Sequence, residues 1–211
     1  MDIASQHSLI ETPLDSIVIH GKKYFIDLSF DNVIRFYNLI DPDTLNEEII
    51  VRAFFSLIPK LPHDLLSPDE IIELLDYLLD YINYTPYGSS QSDVDITGEV
   101  MHRDNNGKYY DLEQDAGVIY AAFQMYAGID LYKELMKPPS ERLHWDKFQS
   151  LLMAMPEQSM FKQIMSIRQR EPSKEEIKDA DFMVSLNRQK KFYGLKNSRY
   201  DRNVAVENFG R

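Results

Sequence analysis

From Ser29 onward the apolar residues of this chain recur at intervals of three and four, punctuated by prolines and capping residues. That period suits one face of an α-helix and excludes a mainly β fold. Phe30, Val33, Ile34, Tyr37 and Leu39/Ile40 form a first stripe that Asp41-Pro42 stops. Thr44 stands three residues before Glu47, a capping box opening a stripe of Ile49, Ile50, Ala53, Phe54 and Leu57, which Pro59 and Pro62 break. Ser67-Pro68-Asp69-Glu70 predicts a helix start, with Ser as N-cap, Pro in the first turn and Glu reaching back. The stripe of that helix is Ile71, Leu74, Leu75, Leu78, Leu79 and Ile82. Residues 83–110 lose the period and predict a long insertion, with a weaker hairpin flanked by 94–96 and 108–110.

Helical spacing then returns. Asp111, with Gln114 at the reciprocal position, predicts a helix whose apolar face is Ala116, Ile119, Tyr120, Phe123 and Tyr126, ending at Gly128. A short helix is expected over 129–136, before Pro138-Pro139. Ser140 caps another, carrying Leu143, Phe148, Leu151, Leu152 and Met155, and a further one covers 158–169. Ser173 and Glu176 form a third capping box, whose helix runs toward Gly194. The strand signal is confined to Ile17-Val18-Ile19-His20, a Gly21-Lys22 turn, and Lys23-Tyr24-Phe25-Ile26-Asp27-Leu28. The expected fold is mainly α with a small N-terminal β-hairpin (α+β): seven or eight helices in one compact helical body. Residues 1–14 are expected to be a loose lead, 15–194 a single mainly helical domain with the insertion at about 83–110, and 195–211 a basic tail.

Charge divides the chain. Residues 1–100 hold 18 acids and 5 bases, whereas residues 182–211 hold 7 bases and 2 acids. The net charge of −11 argues against generic binding to nucleic acid or an anionic membrane, because phosphate needs a positive surface. Cysteine is absent, which excludes disulfides, thiol catalysis and thiolate metal sites. No apolar run approaches a membrane span, and the N-terminus does not begin a secretory signal. The expectation is a soluble intracellular protein.

Chemistry-bearing motifs are missing. There is no phosphate-binding glycine loop, nucleophile elbow or His-Glu-x-x-His. The five histidines (His7, His20, His63, His102, His144) are scattered, and His144 beside the only tryptophan, Trp145, reads more as packing than as catalysis. Asp69, Glu73, Asp76 and Asp80 share one helix face that suits solvent better than a cation. Asp93-x-Asp95 lies in a Ser-rich loop, and Asp104-Asn105-Asn106-Gly107 lacks the alternating ligands of a calcium loop. No catalytic residue, metal ligand or cofactor is expected. Tyr77, Tyr81, Tyr84 and Tyr87 at near-helical spacing suit protein contacts or a core edge, and Met136, Met153, Met155, Met160 and Met165 suit adaptable packing. The residues by themselves describe a soluble, mainly helical, non-enzymatic interaction protein.

Two association elements stand out. A two-stranded hairpin leaves both edges unpaired, so Ile17, Ile19, Tyr24 and Ile26 are candidates for self-association. The basic tail offers Arg188, Lys190, Lys191, Lys196, Arg199 and Arg202 for docking on an acidic surface, the chain's own or another subunit's.

The run Tyr110-Asp111-Leu112-Glu113-Gln114-Asp115-Ala116-Gly117-Val118-Ile119-Tyr120-Ala121-Ala122-Phe123 is succeeded in order by Tyr126-Ala127-Gly128-Ile129-Asp130-Leu131, Leu143-His144-Trp145-Asp146-Lys147-Phe148, and Met155-Pro156-Glu157 leading to Ile164-Met165-Ser166-Ile167-Arg168. Together with the hairpin strings and the Ser173 to Leu195 stretch, this order resembles the "gene product fifteen" family of long-tailed bacteriophages and prophages of Gram-positive bacteria. The resemblance covers about residues 14–196. Asp146 stands where that family often has a second aromatic. The resemblance implies a tail assembly chaperone in the host bacterial cytoplasm. It would bind the tape-measure protein, with the major tail-tube protein as a second candidate partner; the unpaired hairpin edges point to a homo-oligomer, and the acidic charge balance to no nucleic-acid or membrane partner. Alternatives are a tail-completion or adaptor protein retained in the virion, and a small metal-dependent hydrolase. Ile119, Tyr120, Phe123, Leu143, Trp145, Phe148 and Leu152 are expected to share one packed core.

Overall fold

A computed structural model describes residues 7–40, 46–84 and 109–196. Among them are one two-stranded antiparallel sheet and eight α-helices, a mainly helical α+β architecture. The chain divides into two compact units, one of residues 1–103 and 131–153, the other of 104–130 and 154–211. The sequence predicts a single domain over 15–194. Helical periodicity shows that a segment has an apolar face but not which segment that face meets.

The first unit opens with β1 (Ser16–Ile19) and β2 (Lys22–Phe25), paired with Ile17 opposite Tyr24 and Ile19 opposite Lys22. The turn is His20-Gly21, one residue earlier than predicted. Both residues have positive φ, 48° and 75°, as a two-residue turn matched to strand twist requires. The Ile26 amide continues the ladder by donating to the Asp15 carbonyl, 2.8 Å. Past β2 the chain leaves its own hairpin. Asp27 N–H donates to the Leu57 carbonyl (2.7 Å), Trp145 N–H to the Leu28 carbonyl (2.8 Å), and Phe30 N–H to the Leu143 carbonyl (2.9 Å). Ser29 and His144 face each other in an isolated antiparallel bridge. Residues 26–30 are buried, and the amides of Ile26, Asp27, Ser29 and Phe30 each find an acceptor, as buried peptide groups require.

Helices α1 (Phe30–Leu39), α2 (Glu47–Leu57) and α3 (Pro68–Ile82) pack in succession, and α1 also meets α6 (Trp145–Met153). Val33, Phe36, Phe54, Leu57, Leu78, Tyr81 and Ile82 are fully buried. The predicted Thr44 box is not what opens α2. Asn46 is its N-cap, accepting from the Ile49 amide, while Thr44 and the Asp41-Pro42 stop lie outside the described residues. The α3 start forms as predicted, with Ser67 and Glu70 exchanging a capping box. The Ser67 backbone amide, then its hydroxyl and His20, hold the Glu70 carboxyl down at about 2, against an ordinary 4.5. A depressed carboxyl stabilises the fold above its unfolded value and loses that contribution as pH falls toward the folded one. Between pH 4.5 and 2 the first turn of α3 should therefore fray. A carboxyl carbon-13 titration of Glu70 should show a midpoint near 2 that Ser67→Ala moves up. A midpoint in the ordinary range for the wild type would contradict the box.

In the second unit, Asp111 Oδ1 accepts from the amides of Glu113 and Gln114, so it caps a turn, and α4 (Ala116–Ala122) begins only after Asp115. Gln114 does not reach back. Its side chain donates to the Gly194 carbonyl and accepts from the Lys196 amide, 2.9 Å each. A π-helical turn, Phe123–Ala127, continues α4 and ends at Gly128, whose φ of 67° is the expected left-handed stop. Helix α7 (Met160–Gln169) packs against α4 and α8 (Ala180–Tyr193), around Ile119, Phe123, Phe161, Ile164 and Leu186. The Ser173–Glu176 box forms but opens only a 3-10 turn, Glu176–Lys178. Asp179 is extended there and starts α8 afresh by accepting from the Phe182 amide.

The residues predicted to share one core are divided. Ile119 and Phe123 are buried in the second unit, where Tyr120 is only half-buried. Leu143, Trp145, Phe148 and Leu152 are buried in the first, which also contains the short helix α5 (Leu131–Leu135).

Candidate interaction surfaces

The hairpin candidates are turned inward. Ile19, Tyr24 and Ile26 are buried and Ile17 is half-buried, all on the one face that alternation sends to the core. Val18, pointing the other way, is 66% exposed. The self-association candidates thus spend their side chains inside their own unit. The Ile26 amide already has an intrachain acceptor, so Ile26→Pro tests folding, not assembly.

The His144-Trp145 spot is a fastening. Trp145 Nε1–H donates to the Ile82 carbonyl at the end of α3 (3.0 Å), and its ring stacks on Phe148 at 5.5 Å. His144 Nε2 lies 3.2 Å from the Leu14 carbonyl, and its Nδ1 accepts from the Asp146 amide. Tyr81 donates its hydroxyl proton to Asp146 Oδ2 and accepts from the Leu14 amide. Burial first, then the Asp146 carboxylate, pushes the Tyr81 phenol well above its usual range, so it stays a donor. His7 stacks between Tyr81 and Tyr84, with ring centroids at 4.4 and 4.3 Å. Asp146 is the hub of this cluster. Among the described residues no set of three or more His, Asp or Glu is placed to hold a metal ion.

Two arginines do what no local signal announced. Arg142 Nη1 donates to buried Asp31 (2.8 Å) while its Nε and Nη2 donate to the carbonyls of Lys137 and Leu135. Arg168 makes a bidentate pair with buried Asp115, at 2.6 and 2.8 Å, and donates to the carbonyls of Tyr193 and Tyr109. These partners are 111 and 53 residues apart for the two acid pairs, out of reach of any spacing rule.

What remains for partners lies on the surface. Asp69, Glu73, Asp76 and Asp80 are all exposed on α3, beside Ile72 at 53%. On α8 the exposed residues include Val184 (69%), Arg188, Lys191 and Phe192 (79%), whereas Lys190 is half-buried. Lys196 is exposed; Arg199 and Arg202 lie outside the described residues, as do Tyr87, the 94–96 strand and the acids of 93–104. The π turn exposes Met125 (73%) and Tyr126. In the first unit Tyr132 and Met136 are exposed next to Pro138. No helix among the described residues is long and apolar enough to cross a membrane.

A search of curated proteins and a search of solved structures each returned no match. The family model described as "Bacteriophage Gp15 protein" matches residues 10–195, which take in the hairpin, both arginine fastenings and all eight helices. The chain belongs to the bacteriophage Gp15 protein family, a membership that fits a structural or tail-related role in the phage.

Proposed function

We propose that this protein is a tail assembly chaperone, a non-catalytic helper that binds the tape-measure protein, tail-tube subunits or both in the host bacterial cytoplasm while the tail is built. The observation that carries the reading is the family match over residues 10–195. Its support in the molecule is twofold. Arg142, Arg168 and Asp146 are engaged in fastening segments of the chain to one another. The exposed apolar residues include methionines and aromatics, Met125, Tyr126, Tyr132 and Met136, which adapt to irregular apolar partners. A long helical tape measure is such a partner.

The test is co-expression with the tape-measure protein of the same phage, then affinity capture, together with mass spectrometry of purified virions. The expected result is co-purification with the tape measure and absence from finished particles. Replacing Met125 and Met136 with Ser, both exposed, should weaken capture without lowering the melting temperature. Stoichiometric presence in virions would favour the adaptor reading instead. Failure to capture the tape measure at all would remove the chaperone reading.

A further inference from the structure

Helix α8 packs on α7 yet leaves most of its surface outside the core. Of its 14 residues only Leu186 is buried. Diametrically opposite Leu186, at spacings of four and three, stand Val184, Arg188 and Lys191, with Phe192 beside them. All four are exposed, Phe192 by 79% and Val184 by 69%, and neither Arg188 nor Lys191 has an ion-pair partner among the described residues. A large aromatic and a branched aliphatic bracketing two cations call for a surface of acids with an apolar residue set among them. The chain carries that surface on α3. Asp69, Glu73, Asp76 and Asp80 run down the exposed side, Ile72 is 53% exposed at their flank, and none of these four acids has an ion-pair partner among the described residues. At 1.5 Å per residue the acidic row is about 16 Å long and the basic face about 12 Å, so one accommodates the other.

We propose that the exposed face of α8 docks on the acidic face of α3 in a second copy of this chain. The two faces differ, so the contact is heterologous: each copy offers one of each, and copies join head to tail into chains or rings. Exposed ion pairs are individually weak and screened by salt, so Phe192, Val184 and Ile72 supply the contact's apolar part. One helix face on another buries less area than a stable dimer needs, which makes the association reversible and concentration-dependent. The inference does not rest on the chaperone reading, because no tape measure enters it.

The experiment is sedimentation velocity on the full chain over a range of concentrations, at low and high salt. Wild type should associate at low salt and dissociate at high salt. Arg188→Glu with Lys191→Glu, and separately Glu73→Lys with Asp76→Lys, should each weaken self-association roughly tenfold or more, since two attractions become two repulsions. Mixed together, these two charge-reversed proteins should associate again, because each new face meets its complement. Phe192→Ser should weaken association with the melting temperature unchanged, which separates docking from folding. A wild type that stays monomeric throughout would overturn the proposal. So would association untouched by the reversals, failure of the mixture to recover, or a salt-dependent compaction without a change in mass, which would mean that α8 docks within its own chain.

Discussion

Replacing Arg168 with alanine is expected to destabilise the second unit by ~3–5 kcal/mol, the usual consequence of removing one partner of a buried ion pair and stranding the other. The side chains of Arg168 and Asp115 are 7% and 6% exposed, so water cannot take over. The loss extends beyond the pair. Arg168 also donates to the carbonyls of Tyr193 and Tyr109, and thereby ties the end of α8 and the entry to α4 onto α7. Urea unfolding monitored by far-ultraviolet circular dichroism measures it. Arg168→Lys should recover less than half, because one ammonium cannot reproduce a bidentate fork together with two carbonyl bonds. Arg168→Met combined with Asp115→Leu should recover part of the loss by removing the stranded carboxylate. Recovery stays incomplete because Asp115 also accepts from the Asp111 amide. An Arg168→Ala midpoint equal to wild type would show that the pair contributes nothing.

Trp145→Ala should cost the first unit about as much, ~3–5 kcal/mol for deleting a large buried aromatic. The ring is 4% exposed and lies against Phe148, with Tyr37 at 6.0 Å. Trp145→Phe separates packing from hydrogen bonding. It keeps much of the aromatic contact but leaves the Ile82 carbonyl without its donor, a loss of ~1–3 kcal/mol. Trp145 is the only tryptophan, so both variants are monitored by circular dichroism, and wild-type fluorescence reports this site alone. If Trp145→Ala lost under ~1 kcal/mol, the ring would not be the anchor between α3 and α6 that its contacts make it.

Local chemistry was legible where the deciding partners are local. The α3 capping box needs only Ser67, Pro68 and Glu70, and it formed as the sequence predicts. Gly128 ends its segment because a left-handed residue is required there. The hairpin was legible too, although its turn moved by one residue, since the register depends on two consecutive positive φ angles and not on Gly21 alone. The Ser173–Glu176 box shows the limit. Its hydrogen bonds formed, yet the helix restarted at Asp179, because a cap satisfies one turn and does not govern the residues beyond it.

The sequence by itself determined which stretches carry helices, though not every helix start, together with the alternation of the hairpin, the acidic row on α3 and the cations of α8, because each is a matter of spacing along one segment. Order of motifs along the chain was also enough to indicate the family. Only the tertiary structure decided which faces are already occupied. It turned Ile19, Tyr24 and Ile26 into core and divided Phe123 from Phe148 between two units. It also paired Asp31 with Arg142 and Asp115 with Arg168, and made Asp146 the acceptor for Tyr81. The physical reason is the same in each case. Burial and charge pairing are set by residues distant in sequence, and a periodic stripe specifies that a face must be covered without specifying what covers it.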